Sequence, residues 1–125
     1  MTSRTQEVFV FVRRGAEFLV LHRAPEHDAY WHGVAGGVED GESFAAAAER
    51  ELREETGLGV RPTPIEHSFV YEQVTVECFL AEAPLGWEPE LDWEHDDYRW
   101  CGVDEAVALL FFPEPRELLQ NVVER

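Results

Sequence analysis

The sequence predicts a single domain of the α/β class, and three observations support this. Short apolar runs rich in Val and Phe, at residues 8–12 and 18–21, are typical of strands. An Ala- and Glu-rich stretch at residues 43–56 has the composition of a helix. The 125 residues, 45% of them hydrophobic, are enough to bury one core. We therefore expect one domain over residues 1–125.

The first third of the chain predicts a β-hairpin and a short third strand. Residues 8–12 are a continuous apolar run, which is typical of a strand buried on both faces. Residues 13–16 predict the turn into a second strand at residues 18–21. A loop over residues 25–32 should then lead to a short strand at residues 33–35.

The predicted helix at residues 43–56 carries a cluster of carboxylates. Residues three and four apart share a helical face, so the side chains of Glu51, Glu54 and Glu55 should project together. They repel one another near the C-terminal end of the helix, where the helix dipole disfavours anions. A hard divalent cation such as Mg²⁺ or Mn²⁺ is the natural compensation, because it prefers oxygen ligands.

The ends and the packed side of this helix are also predicted. Ser43 is a suitable N-cap, and Gly57 stands where a left-handed residue commonly ends a helix. The apolar side should consist of Ala45, Ala48 and Leu52.

The second half of the chain predicts a strand pair, a long acidic loop, a last strand and two helices. In order, these occupy residues 67–71, 74–80, 84–97, 98–101, 105–110 and 113–123. Asp104 is the expected cap of the first of the two helices.

Composition excludes several classes of function. With 26 acidic and 10 basic residues the formal charge is −16, which would repel a nucleic-acid backbone, so we expect no nucleic-acid partner. All basic residues are arginine, which excludes lysine Schiff-base chemistry. The two cysteines are far apart, which argues against a disulfide framework and a zinc site. The chain has no apolar run of about 18 residues and a polar N-terminus, so we expect a cytoplasmic protein outside the membrane.

One spaced pattern is far more specific than the composition. Gly36 is followed after five residues by Glu42 and, after seven more, by the run RELREETGL at residues 50–58. Average residue usage gives all nine restricted positions a chance on the order of 10⁻⁷ in a chain this short. The pattern resembles, position for position, the signature of the Nudix hydrolases, enzymes that cleave nucleoside diphosphates linked to another group.

This resemblance implies a fold and a metal site. The fold would be an α/β/α sandwich with a mixed central sheet, in which residues 36–58 form a loop–helix–loop catalytic motif. Glu51 and Glu55 would be the main metal ligands, Glu54 a further ligand or the base, and the backbone carbonyl of Ala35 an additional oxygen. The expected metal is Mg²⁺, with Mn²⁺ as an alternative.

The same resemblance assigns residues around the metal. Arg50 and Glu42 would orient the ligating carboxylates. Gly36 and Gly37 would let the loop approach the substrate closely, together with Gly41, because glycines tolerate positive φ.

Three residues before the signature are candidates for substrate binding. Arg23 matches the position of a phosphate-contacting arginine in MutT-type members of the family, and a guanidinium fork suits a phosphate. Tyr30 and Trp31 could stack on a base. Trp31 could equally well pack in the hydrophobic core.

A second stretch of the sequence, at residues 94–100, narrows the resemblance to two groups within the family. Residues 94–100, EHDDYRW, resemble the Glu-His-x-x-Tyr-x-Trp stretch of dihydroneopterin triphosphate pyrophosphatases and diadenosine tetraphosphate hydrolases. By that resemblance Glu94 is a candidate metal ligand or base. His95 either transfers a proton or shapes the loop.

These expectations define a function with open alternatives. The favoured reaction is metal-dependent cleavage of a nucleoside or pterin triphosphate to the monophosphate and pyrophosphate. A dinucleoside polyphosphate or a nucleotide sugar is an alternative substrate, and a non-catalytic nucleotide-sensing domain is an alternative of another class. The expected partner is a small nucleoside polyphosphate, and the protein is expected to be a monomer or a homodimer.

Overall fold

A seven-stranded mixed sheet organises the computed structural model, which describes residues 5–123. Its strands are β1 (Gln6–Arg14), β2 (Glu17–Arg23), β3 (Trp31–His32), β4 (Val34–Gly37), β5 (Thr63–Tyr71), β6 (Val74–Glu82) and β7 (His95–Cys101). The helices are α1 (Phe44–Thr56), α2 (Val103–Leu109) and α3 (Pro113–Leu118), with a 3₁₀ turn at Pro25–His27 and a π-helical turn at Leu119–Val123.

Strand β1 is the centre of the sheet. It pairs in parallel with β6, from Gln6 opposite Thr75 to Arg13 opposite Glu82. It also pairs antiparallel with β2 and β4, while β7 continues the sheet beyond β2 and β5 continues it beyond β6. The sheet is therefore mixed, as predicted.

The side chains of β1 are buried on both faces of the sheet. Val8, Val10 and Val12 belong to the core under α1. Phe9 and Phe11 belong to a second core on the opposite face, which includes residues of α2 and of the C-terminal π-helical turn. Helices thus cover both faces, which confirms the predicted α/β/α sandwich.

Helix α1 has the predicted ends. The Ser43 hydroxyl accepts a hydrogen bond from the N–H of Ala46 at 3.0 Å, and this satisfies one of the free donors of the first turn. Gly57 ends the helix with φ of 82°, and its N–H donates to the carbonyl oxygen of Arg53 at 2.9 Å.

The packed side of α1 differs from the prediction at one residue. Ala48 and Leu52 are fully buried as expected, but Ala45 is exposed and Ala47 is buried instead. The buried side also includes Glu55, so it is rotated around the helix axis away from Ala45.

Two elements of the second half begin earlier than predicted. Strand β5 begins at Thr63 rather than at residue 67, and β7 begins at His95 rather than at residue 98. The extra residues of β7 pair with β2, where His95 lies opposite Arg23 across a shift in register. Pairing with a neighbouring strand thus orders a segment whose composition predicts a loop.

The C-terminal helices also differ in detail. Gly102, not Asp104, is the N-cap of α2, and Asp104 lies within the first turn, where the helix dipole favours an acidic side chain. The predicted helix at residues 113–123 is α3 followed by the π-helical turn. Within residues 5–123, no helix has the length and apolar character needed to cross a membrane.

Candidate active site

Arg50 is the centre of a charged network on α1. Its guanidinium donates to Glu42 through Nε at 2.8 Å and Nη2 at 3.0 Å. Nη1 donates to Glu51 at 2.7 Å and to Glu54 at 3.2 Å, and Nη2 also donates to the carbonyl oxygen of Gly37 at 2.9 Å. The hydrogen bonds with Glu42 raise the pKa of Arg50 and hold the pKa of Glu42 below its usual range. This fork fixes the orientation of Glu51 and ties α1 to β4.

Glu51 lies directly against the backbone of β4. A Cβ atom placed on Gly36 would overlap the Glu51 carboxyl group, with all three of its nearest atoms inside 3.0 Å. Only glycine at residue 36 therefore leaves the carboxylate in this position. Because the Glu51 side chain is only 12% exposed, its orientation is set by these neighbours and not by solvent.

Glu55 is buried one helical turn further along. Its Oε1 atom accepts a hydrogen bond from the N–H of Ala35 at 3.4 Å and lies 3.8 Å from Nε2 of His95. Burial raises the pKa of Glu55 well above its usual range, and the nearby carboxylates of Glu51 and Asp92 add to the effect. The protein alone thus provides little compensation for a charge on Glu55.

His95 connects the acidic loop to Glu55. It is buried, and its Nδ1 atom lies 2.7 Å from Oδ1 of Asp92. Within residues 5–123, its Nε2 atom has no hydrogen-bond partner. Asp92, His95 and Glu55 therefore form a row that ends at the candidate metal ligand. Asp92 is a residue that sequence reasoning missed, because it is one of many acids in its loop and has no distinctive spacing.

The two other predicted metal-binding carboxylates, Glu54 and Glu94, have arginine partners instead. The Glu54 side chain is 57% exposed and contacts Arg50. Glu94 forms an ion pair with Arg23, with 3.8 Å between its Oε2 and the arginine Nη2. In the part of the chain that the structure describes, no three acidic, histidine or cysteine side chains enclose a space suited to a metal ion. The predicted ligands are thus not gathered into a closed protein cage.

Arg23 and Tyr30 adjoin the start of β7. The guanidinium of Arg23 lies 5.6 Å from the centre of the Tyr30 ring, and its Nε donates to the carbonyl oxygen of His27 at 3.1 Å. Trp31 has different neighbours, because its ring contacts His22 at 4.8 Å and Arg99 at 5.2 Å between centres. Trp31 also packs against the second core, so only Tyr30 of the predicted aromatic pair faces Arg23.

A cavity of about 310 Å³ lies beside β4 on the face opposite α1. We call it the aromatic cavity; its ring-bearing wall consists of Phe9, Tyr30, His32, Phe69, Tyr71 and Phe112. Ala35 also lines it, so the cavity begins where the backbone contacts Glu55. A wider cavity of about 680 Å³ adjoins it and shares Tyr30, Tyr71 and Phe112.

His32 is the polar ring of the aromatic cavity and was missed by sequence reasoning. Its imidazole makes edge contacts with Phe9, Tyr30 and Phe112, at 4.9, 5.6 and 5.4 Å between ring centres. Burial, with smaller contributions from the neighbouring Arg23 and His95, lowers the pKa of His32 to about 3. Its Nδ1 atom is buried and has no hydrogen-bond partner within residues 5–123. A lone histidine at the end of a loop gives no such signal in the sequence.

Comparison with known proteins places this site in a family. The family model described as NUDIX domain matches residues 3–122, nearly the whole chain. The chain belongs to the NUDIX domain family. The signature at residues 36–58 thus begins at the end of strand β4, not in a loop, and continues through a loop at residues 38–43 and α1 to Leu58.

Three relatives illustrate the likeness. The asymmetrical bis(5'-nucleosyl)-tetraphosphatase of Mus musculus is 37% identical over 114 residues, which cover 84% of this chain and 77% of that protein. The octanoyltransferase of Myxococcus xanthus is 35% identical over 128 residues, but this chain spans only 36% of its length. The crystal structure of a C. elegans Ap4A hydrolase binary complex has a TM-score of 0.81 and 27% identity, covering 94% of this chain and 96% of that one.

These comparisons confirm the predicted family, its fold and the hydrolase class. NUDIX hydrolases use a divalent metal ion and act on nucleoside polyphosphates.

Proposed function

We propose that this NUDIX protein is a Mg²⁺-dependent pyrophosphohydrolase that converts a nucleoside or pterin triphosphate and water to the monophosphate and pyrophosphate, with Mn²⁺ as an alternative metal. The observation that supports this most is that two carboxylates, those of Glu51 and Glu55, lie against the backbone of strand β4. Gly36 leaves room for one of them, and Ala35 contacts the other.

The donor set fits a hard divalent cation. Two carboxylates and the carbonyl oxygen of Ala35 are all oxygen donors, and Mg²⁺ typically takes only one or two protein carboxylates beside water and phosphate. Arg50 is shared among several acids, and Glu55 has no cationic partner close enough for a hydrogen bond within residues 5–123. When bound, a divalent ion supplies positive charge that neutralises phosphate oxygens and makes water a better nucleophile.

The remaining side chains would orient the metal ligands or act as the general base. Arg50 would hold Glu51 in place with the help of Glu42, since a ligating carboxylate needs a fixed orientation. Glu54 is the exposed candidate for the general base, and Glu94, immediately before β7, is the alternative. No covalent intermediate is required, because water can attack the phosphate chain directly.

Arg23 offers a positive group for the phosphates in a strongly acidic protein. The formal charge of −16 repels a polyphosphate, so local cations must reverse the field at the site. The guanidinium of Arg23 lies between the acidic loop and the ring of Tyr30. Arg23 would contact phosphate oxygens while Tyr30 contacts the ring of the same substrate.

A second candidate substrate is a dinucleoside tetraphosphate. It is favoured by the likeness to the mouse tetraphosphatase and by the wider cavity, whose lining adds Trp31 and Phe111 to the shared aromatic rings. Two adjoining aromatic surfaces suit a substrate with two bases. Asymmetric cleavage of four phosphates would give a monophosphate and a triphosphate.

A panel of substrates separates these candidates. Nucleoside and deoxynucleoside triphosphates, neopterin triphosphate, dinucleoside polyphosphates and nucleotide sugars are incubated with Mg²⁺, and the products are resolved by ion-exchange chromatography. Pyrophosphate from a triphosphate supports the proposal. Turnover of a dinucleoside polyphosphate alone supports the second candidate, and tight binding without turnover would instead indicate a sensor.

A further inference from the structure

The aromatic cavity supports an inference about the substrate ring, which rests on the proposed function. We propose that it selects a ring with a 2-amino-4-oxopyrimidine edge, as in guanine and in pterins, over adenine. The contacts would come from the carboxylates that line the cavity and from the imidazole of His32.

The size and walls of the cavity suit one flat heterocycle. Its volume of about 310 Å³ is at the low end for small-molecule sites and is enough for a two-ring base without its phosphates. Aromatic side chains provide stacking surfaces, and Tyr30 and Phe112 contact each other edge to face in the wall, with 5.3 Å between ring centres.

The position of the cavity connects it to the candidate metal site. Ala35 lines the cavity, and its N–H donates to Glu55. Tyr30 lines the cavity as well, and its ring lies beneath the guanidinium of Arg23. A ring held in the cavity would therefore have its phosphates near Arg23 and α1.

The charges of the cavity favour hydrogen-bond donors on the ring. Its lining includes Glu7, Glu72 and Glu114 and, among the described residues, no arginine. Ionised carboxylates only accept hydrogen bonds. Guanine and pterins present a ring N–H next to an exocyclic amino group. These two donors match the two oxygen atoms of one carboxylate. Adenine presents an acceptor nitrogen next to its amino group, so one of the two contacts would be repulsive.

Glu7 and Glu114 are the stronger candidates for this contact. Both are half-buried, whereas Glu72 is exposed at the turn between β5 and β6. A carboxylate shielded from water interacts more strongly with a donor than one in bulk solvent. Glu7 lies on β1 opposite Gly37 of β4, and Glu114 lies in the first turn of α3.

His32 complements the carboxylates. At neutral pH its imidazole is uncharged, because its pKa is lowered to about 3, so it retains one donor and one acceptor nitrogen. The ring as a whole is half-buried and lines the cavity, and its Nδ1 atom is buried without a hydrogen-bond partner within residues 5–123. The oxo group of a guanine or pterin ring can accept from the donor nitrogen of the imidazole, whereas the amino group of adenine cannot accept from it.

Binding of monophosphates without metal tests this selection apart from catalysis. Isothermal titration calorimetry in EDTA at 0.15 M salt compares GMP, neopterin monophosphate, IMP and AMP. IMP keeps the oxo group of GMP and lacks the 2-amino group. We expect GMP or the neopterin compound to bind about tenfold or more tightly than AMP, with IMP between them, because a hydrogen bond to a charged group is worth that much. The comparison of GMP with neopterin monophosphate shows whether the cavity prefers guanine or a pterin.

Matched variants locate the contact. Glu7→Gln, Glu114→Gln and their double variant should reduce the preference over AMP to within about threefold, since a neutral amide accepts more weakly. His32→Phe should weaken GMP binding by a similar factor, because it keeps a flat ring but removes both ring nitrogens. Glu117→Gln, on the exposed side of α3, is the control and should bind like the wild type.

Several results would overturn the inference. Equal affinity for GMP and AMP, no binding of any of the four ligands, or an unchanged preference in the double variant would each do so. If the protein binds GMP and AMP equally but cleaves a triphosphate with Mg²⁺, the proposed function stays intact. Clear selection without any cleavage would leave the cavity assignment intact and overturn the proposed function.

Discussion

Gly36 of β4 lies so close to Glu51 of α1 that a methyl group at residue 36 would overlap the carboxylate. The backbone of Gly36 is not in the left-handed region, unlike that of Gly41, whose φ is 79°. Residue 36 therefore has to be glycine because a side chain approaches it, and not because of a turn. This contact and the Arg50 network together place Glu51 beside β4.

The variant Gly36→Ala should lose most turnover while remaining folded. The added methyl group displaces Glu51, and a misplacement of about 1 Å near a reacting centre costs on the order of 100-fold in rate. Measurement of kcat/KM, with circular dichroism to check folding, decides this. Gly102→Ala is the control, because a Cβ there meets no atom within 4 Å. Wild-type turnover in Gly36→Ala would show that the position of Glu51 is unimportant.

The variant Arg50→Lys should lower turnover although it keeps the charge. Lysine cannot reproduce the fork that joins Glu42, Glu51 and the carbonyl oxygen of Gly37. Loss of an orienting partner typically costs about 10–100-fold in activity or metal affinity. Arg53→Lys is the matched control on the same helix, because the Arg53 side chain is 61% exposed. Equal rates for the two variants would contradict the orienting role.

The variant His95→Gln should raise the Mg²⁺ concentration needed for half-maximal activity, by about tenfold. The imidazole lies between Asp92 and Glu55, and its loss leaves the buried carboxylate without this neighbour. Titration of Mg²⁺ at saturating substrate gives the value directly. His67→Gln, on the exposed part of β5, is the control. An unchanged Mg²⁺ requirement would mean that His95 serves only the packing of the loop.

The variant His32→Phe should change how stability depends on pH. The folded pKa of His32 is about 3, below the unfolded value of 6.5, so the unfolded chain binds the proton first as the pH falls. Wild-type stability should therefore decline below pH 6.5, by up to about 1.4 kcal/mol per pH unit from this residue. Phenylalanine cannot titrate, so urea unfolding at pH 7.5 and pH 5 should show a smaller loss for the variant. An equal loss in both proteins would contradict the buried, neutral state of His32.

The signature and most of the fold could be identified from the sequence because both depend on the local spacing of residue types. Ser43 and Gly57 cap α1 as expected, and the apolar run of β1 is buried on both faces. The packed side of α1 was less predictable, since neighbouring alanines have equal propensity and only contact with the sheet distinguishes Ala47 from Ala45.

The contacts between distant segments could not be read from the sequence. Asp92 and His95 meet Glu55 only because β7 extends along β2 to residue 95. His32 becomes a cavity residue because β3 and the segment before α3 place Phe112 beside it. No local pattern indicates such long-range packing.

A product assay on GTP tests the central claim most directly, namely that Glu51 and Glu55 support metal-dependent cleavage. Wild type, the double variant Glu51→Gln/Glu55→Gln and the control Glu49→Gln are each incubated with and without Mg²⁺. We predict GMP and pyrophosphate from the wild type and the control only when Mg²⁺ is present, with turnover in the folded double variant reduced by about 100-fold or more. Wild-type turnover in the folded double variant, or GDP and phosphate as the products, would contradict this account.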